Sequence, residues 1–195
     1  MSRKFLRVAK VGGSLFDFAE LSSVLRCWLD EQPGVNVLLA GGGSFANGIR
    51  QADQVFQLGE PTAHRLAIES MRISAELLAV LLPETQIVRS LDGIPTGLEN
   101  AGIVVLDPVQ TLNSTDCQLP HSWDVTSDSI AAFVASKLRA HELVLFKSTP
   151  LPANTTRSQA ATEGLVDRHF AQAAMSIQGV RWVNLRSTPV TERPL

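Results

Sequence analysis

Two short apolar runs, each ending in glycines and followed by a helical pattern, constrain this chain most. Phe5 to Val11 (FLRVAKV) ends in Gly12-Gly13-Ser14, and Val35 to Ala40 (VNVLLA) ends in Gly41-Gly42-Gly43-Ser44. Short apolar strands, each running into glycines and then a helix, are the mark of βαβ units and a parallel sheet. After the first glycines, Leu21, Val24, Leu25, Trp28 and Leu29 recur at helical spacing within Phe16 to Glu31, and Pro33-Gly34 stops the helix. Ser44 is placed to cap a second helix running to about Gln57. A longer helix is expected over Pro61 to Leu82, short strands at Gln86–Arg89 and Ile103–Leu106, a helix over Asp128 to Ala140 and a strand at Leu143 to Phe146. Pro150 to Thr162, rich in Pro, Ser, Thr, Ala and Asn, reads as a mobile surface loop, followed by a helix over Asp167 to Ile177 and a strand over Val180 to Leu185.

Composition narrows the class. With 45% hydrophobic and 18% charged residues, the 195-residue chain can bury one sizeable core, and no internal repeat or clean linker divides it. A net charge of -2 gives no electrostatic footprint for nucleic acid or an anionic membrane, so neither partner is expected. Two cysteines, Cys27 and Cys117, without CxxC or His pairing, suit a reduced cytoplasmic protein and no metal centre. Met1 to Lys10 lacks the apolar stretch of a signal peptide, and no run approaches the ~20 apolar residues of a membrane span.

Three motifs carry chemistry. In Lys10-Val11-Gly12-Gly13-Ser14, glycine amides at a strand end favour a phosphate, and an ammonium in an otherwise apolar strand can neutralise a transferring phosphoryl group. The bland reading is a tight turn with a solvated lysine. Gly41-Gly42-Gly43-Ser44-Phe45-Ala46 fits G-x-G-x-x-A, the one feature that favours a dinucleotide-dependent oxidoreductase. That fingerprint expects a strand ending in an acidic residue, whereas this chain runs into the helix at Pro61. Walker A is absent, and Gly42-Gly43-Ser44-Phe45-Ala46 lacks the last glycine of a nucleophile elbow. In Thr126-Ser127-Asp128-Ser129, Asp128 is either a helix cap or the group that orients a lysine, and the two readings are evenly balanced.

VAKVGGSL, LLAGGGSFANGIRQAD and TSDSIAA, in this order, resemble the amino acid kinase family, which includes acetylglutamate, aspartate and uridylate kinases. Within it, GGGSFANGIRQAD, AHRLAIESM and HSWDVTSDS resemble the branch that acts on an aminomethylfuran phosphate in methanofuran-type, one-carbon cofactor synthesis. The resemblance covers most of residues 5 to 147. It implies an α/β fold, a three-layer α/β/α sandwich with a central, mostly parallel sheet. It implies one domain over 1–195, with an acceptor half over roughly 1–120 and a shortened nucleotide half over roughly 121–195. It also implies ATP and Mg2+ as donor, a small-molecule acceptor and a homo-oligomeric assembly. The alternative is a non-catalytic small-molecule-binding homologue.

Residue by residue, the resemblance makes Lys10, Asp128 and Arg168 catalytic, and Gly12, Gly13, Ser14, Lys147 and Ser148 nucleotide- or phosphate-binding. Gly41, Gly42, Gly43, Phe45, Asn47, Arg50, His64, Trp123 and Ser127 fall on the acceptor side. Read from residue type alone, Arg50, His64 and Arg65 would be solvated helix residues and Trp123 a packed aromatic. Lys147-Ser148-Thr149-Pro150 stands where relatives carry an Asp-Gly loop, and Lys147 or Arg168 must then serve as the second cation that many relatives carry late in the chain. A cationic acceptor amine would take Asp53, Asp124 or Trp123 as its neighbour.

Overall fold

The computed structural model describes residues 5–115 and 117–195. Seven strands form one sheet: β1 (Leu6–Val11), β2 (Val35–Ala40), β3 (Gln86–Val88), β4 (Ile103–Leu106), β5 (Glu142–Lys147), β6 (Gly179–Asn184) and β7 (Thr191–Pro194). Their order is β3-β4-β2-β1-β5-β6-β7. Every pairing is parallel except β6 with β7. Among the described residues eight α-helices connect them: α1 (Leu21–Asp30), α2 (Gly43–Phe56), α3 (Glu60–Leu81), α4 (Ile94–Ala101), α5 (Val109–Leu112), α6 (Ser127–Leu138), α7 (Arg157–Thr162) and α8 (Phe170–Ala173). None among the described residues is long and apolar enough to cross a membrane.

Strand alternation sorts the core into two sides. Val8, Val37, Leu39, Leu143 and Leu145 pack with Ile130, Ala131 and Val134 of α6 and with Phe170 of α8. Ala9, Val11, Leu38, Ala40, Val144 and Phe146 pack with Leu21, Leu25, Trp28 and Leu29 of α1 and with Leu78 of α3. This is the three-layer sandwich that the family resemblance implies, built on the parallel sheet that the alternating pattern called for. The same alternation puts Lys10 on the side of Val8, and Lys147 on the side of Leu143 and Leu145, so both lysines face the layer that contains α6. Lys10 is in register with Leu145, which sets Lys147 two residues further along the neighbouring strand.

Local departures have local causes. The helix expected from Phe16 is split into a 3-10 turn over Gly13–Asp17 and α1 from Leu21. Ser44 does not cap α2: the helix starts at Gly43, whose φ of +54° lies in the left-handed region that favours glycine, and its N-cap is Gly42 without a side-chain hydrogen bond. The loop expected over Pro150 to Thr162 is half helix. Thr156 and Gln159 form a reciprocal capping box at the start of α7, and Arg157 donates to the carbonyls of Ala174 and Ile177 at 2.6 and 2.9 Å. The helix expected over Asp167 to Ile177 is reduced to the four residues of α8.

Candidate functional site

The two glycine turns close on each other at the C-terminal edge of the sheet, where open α/β folds bind ligands. A Cβ on Gly13 would lie 2.5 Å from the backbone nitrogen of Gly43 and 2.6 Å from its Cα. Gly13 is therefore a glycine because another backbone occupies the space. The amide of Gly12 donates to the carbonyl of Phe146 at 2.9 Å, tying the first turn to β5. Ser14 and Ser148 share a hydrogen bond at 2.9 Å across the same gap. Gly41 is buried against the first turn.

Asp128 sits in the first turn of α6, 4% exposed, between the ammonium groups of Lys10 and Lys147. Lys10 Nζ is 2.9 Å from Oδ1, and Lys147 Nζ is 2.9 Å from Oδ2. Lys147 also donates to the carbonyl of Leu165 at 2.7 Å and lies 4.9 Å from the centre of the Trp182 ring. Burial pushes the Asp128 carboxyl up, but the two ammonium groups outweigh it and hold it at about 2. Burial, aided by repulsion from Lys10, lowers Lys147 to about 8 against the pull of Asp128. The cluster carries one net positive charge, two lysines against one aspartate.

Thr126 precedes α6 in extended conformation, yet its hydroxyl does not cap the helix. Asp167 performs that role from outside. Its Oδ2 accepts from the backbone and hydroxyl of Thr126 and from the backbone of Ser129, each at 2.9 Å, while Oδ1 accepts from the Ser129 hydroxyl. Burial, and then the Asp128 charge, raise the Asp167 carboxyl above its ordinary range. Asp167 thus braces the turn that carries Asp128. Sequence reading missed it, although three hydroxyl residues within four positions at a helix start, Thr126, Ser127 and Ser129, are a signal that an acceptor is needed nearby.

Two hollows lie at this end of the sheet, and the cluster lines the second of them through Asp128 and Lys147. The first, about 460 Å³, is lined by Gly13, Ser14, Asp17, Gly42, Gly43, Asn47, Arg50, His64, Ile68, Met71, Trp123 and Ser127 among others. The second, about 610 Å³, is lined by Asp128, Lys147, Gly164 to Arg168 and Asp124, and shares Trp123 and Thr126 with the first. At the first, Arg50 lies 4.7 Å from the centre of the Trp123 ring and donates to Asn47 at 3.0 Å. Trp123 Nε1 donates to Asp53 at 3.0 Å.

Several residues stand apart from their expected places. Arg168 is not part of the lysine–aspartate cluster: its side chain is 82% exposed and pairs with Asp124 at 3.4 Å, whereas Lys147 occupies the buried position. Phe45 is 42% exposed and absent from the cavity wall, because the turn at Gly43 directs it outward while Ala46 faces in. His64 is no surface residue but 4% exposed, whereas Arg65 is exposed. Arg186 was not anticipated. It reaches from beyond β6 to the Ser14 carbonyl and to Asp17. Among the described residues no three His, Cys, Asp or Glu side chains gather as a metal-holding group.

A sequence model of the amino acid kinase family matches residues 6–151. Over 144 residues the chain is 31% identical to a (5-(aminomethyl)furan-3-yl)methyl phosphate kinase of Methanocaldococcus jannaschii. That alignment covers 72% of this chain and 64%, less than two thirds, of the relative. The uridylate kinase of Archaeoglobus fulgidus superposes with a TM-score of 0.63 at 15% identity, covering 89% of this chain and 88% of that one. The UMP kinase of Bacillus anthracis gives 0.66 at 12% identity, covering 95% and 89%. These two structures establish likeness of fold.

Proposed function

The chain belongs to the amino acid kinase family, and on that premise we propose that it moves a phosphoryl group from MgATP to a small phosphate-bearing acceptor, an aminomethylfuran phosphate or a close relative. The observation that carries this reading is the buried Lys10–Asp128–Lys147 cluster at the strand ends, which lines the second hollow through Asp128 and Lys147 and adjoins Ser127 in the wall of the first. The acceptor occupies the first hollow, where Trp123, Ile68 and Met71 offer apolar surface to a ring and the uncapped start of α2 offers N–H groups to a phosphate. The nucleotide occupies the more open second hollow, beside Lys147.

An oxygen of the acceptor phosphate attacks the γ-phosphorus of ATP. The new P–O bond forms as the bond to the β,γ-bridging oxygen breaks, and ADP leaves with that electron pair. The nucleophile is already anionic at neutral pH, so no general base is required. The charge that spreads over the equatorial oxygens is met by the ammonium groups of Lys10 and Lys147, fixed beforehand by Asp128. Asp124, which lines the second hollow and is paired with Arg168, would be the carboxylate available to hold the Mg2+ that arrives with the nucleotide. The metal's contribution is to neutralise the polyphosphate.

Lys147-Ser148-Thr149-Pro150 in place of the family's Asp-Gly loop favours the second reading, a non-catalytic small-molecule-binding homologue. ADP release, measured with MgATP and a panel of furan phosphates, other small phosphates and carboxylates, separates them. The kinase reading expects release that depends on an acceptor. ATP binding without acceptor-dependent release across the whole panel contradicts it.

A further inference from the structure

His64 lines the first hollow and holds a buried polar atom with no partner among the described residues. The side chain is on α3, 4% exposed. Its Nε2 lies 3.1 Å from the carbonyl oxygen of Val125. A carbonyl only accepts, so Nε2 carries the proton, and on a neutral ring Nδ1 is then a bare lone pair. Burial lowers the His64 pKa against the hydrogen bond to Val125, and the charge of His121 acts in the same direction as burial, which favours the neutral ring. Nδ1 is buried and has no hydrogen-bond donor within the described residues. A buried acceptor left unmet is costly, and such groups usually find a donor, from protein, water or ligand.

His121 meets the His64 ring edge-on, 5.7 Å between centroids, without bonding Nδ1, and the charged groups around the hollow are engaged elsewhere. Arg50 is held over Trp123 and by Asn47. Asp53 is engaged by Trp123, and Asp17, the one carboxylate among the lining residues described for this cavity, is paired with Arg186. The relative from Methanocaldococcus jannaschii acts, by its name, on a furan with a phosphate at one end and an aminomethyl group at the other. Resting on the kinase reading above, we infer that His64 is the specificity residue for the acceptor's amine, its Nδ1 accepting a hydrogen bond from the ammonium. The amine is thereby read by a neutral lone pair and not by a carboxylate.

Two substitutions separate the ring's nitrogens. His64→Gln keeps a donor near the Nε2 position for Val125 and removes the acceptor at Nδ1. His64→Asn keeps a polar atom near Nδ1 and loses the tether. The assay compares kcat/KM for the aminomethyl acceptor with that for the analogue bearing a methyl group in its place. Wild type should prefer the amine by about 10-fold or more, as expected for a hydrogen bond to a charged group. In His64→Gln the preference should collapse toward unity with KM for ATP unchanged, and His64→Asn should retain most of it. Asp17→Asn should leave the preference as it is. A His64→Gln enzyme that still prefers the amine overturns the inference. So does a wild-type enzyme that uses both compounds equally, whatever the variants' folding. A wild-type enzyme that turns over neither compound removes the aminomethylfuran acceptor, and this inference with it, while the kinase reading is then decided by the wider acceptor panel.

Discussion

Asp128→Asn keeps the shape of the side chain and removes its charge. In the native protein each lysine ammonium stands 2.9 Å from one carboxylate oxygen, and the side chains of Lys10, Asp128 and Lys147 are 6%, 6% and 12% exposed. At an effective dielectric of about 20, each pair gains roughly 6 kcal/mol of Coulomb energy, most of it offset by desolvation. Without the carboxylate, two buried ammonium groups face each other, and breaking such a pair typically costs about 3–5 kcal/mol. Lys147 limits the loss. Its pKa is already down to about 8 with Asp128 beside it, so in the variant it sheds its proton at neutral pH. The lower figure, about 3 kcal/mol, is therefore expected, a fall in Tm of roughly 6–12 °C for a chain of this size. The shed proton also removes one of the two charges facing the transition state, so kcat should drop by ~10²-fold or more. The assay pairs thermal melts at pH 7 and pH 9 with ADP release. The Tm deficit should shrink at pH 9, where Lys147 is largely neutral in both proteins. A variant with native Tm and turnover within about threefold of wild type would refute the reasoning.

Three further outcomes are expected. The folded pKa of Lys147 is depressed to about 8, so its charged form is lost as pH rises through that value; kcat should decline above about pH 8, and Lys147→Arg should move that limb upward, because arginine stays protonated. Over the interval between about 8 and the ordinary 10.5 the unfolded chain binds more protons than the folded one at this site, so its contribution to stability rises with pH, which melts across pH 8 to 10 would detect. Gly13→Val places a side chain 2.5 Å from the Gly43 backbone, so a lowered Tm as well as lost activity is expected, and a native melt would mean that the two turns can separate freely. Arg50→Ala should raise KM for the acceptor and leave KM for ATP unchanged, since Arg50 lines the first hollow only; the opposite pattern in steady-state kinetics would exchange the roles of the two hollows.

The sandwich was legible because the strands that build it are almost wholly apolar and end in glycine. β1, β2 and β5 are buried from end to end apart from their first or last residues, and such runs have few other homes. β7 was not legible: Thr191-Glu192-Arg193-Pro194 is exposed throughout and forms an edge strand through backbone pairing with β6, which leaves no periodic mark. α7 was hidden by small polar residues that look like loop, although Thr156-Arg157-Ser158-Gln159 carries a capping-box spacing. In the site, the even choice over Asp128 is resolved by geometry: it is in the first turn of a helix and also pairs with two lysines. The choice between Lys147 and Arg168 depended on side-chain direction. Strand alternation turns Lys147 inward beside Lys10, whereas nothing in the residue types says that Arg168 points to solvent. Asp167 and His64 act through partners more than 35 residues away in sequence, which no local pattern records.

Phosphorus NMR of the protein with MgATP and (5-(aminomethyl)furan-3-yl)methyl phosphate tests the central claim most directly. The account expects the acceptor's phosphate signal to be replaced by the two coupled signals of a diphosphate ester, in step with the appearance of ADP, and expects this conversion to fall by ~10²-fold or more in Lys10→Ala. Orthophosphate as the only new product, or undiminished conversion by Lys10→Ala, would contradict it.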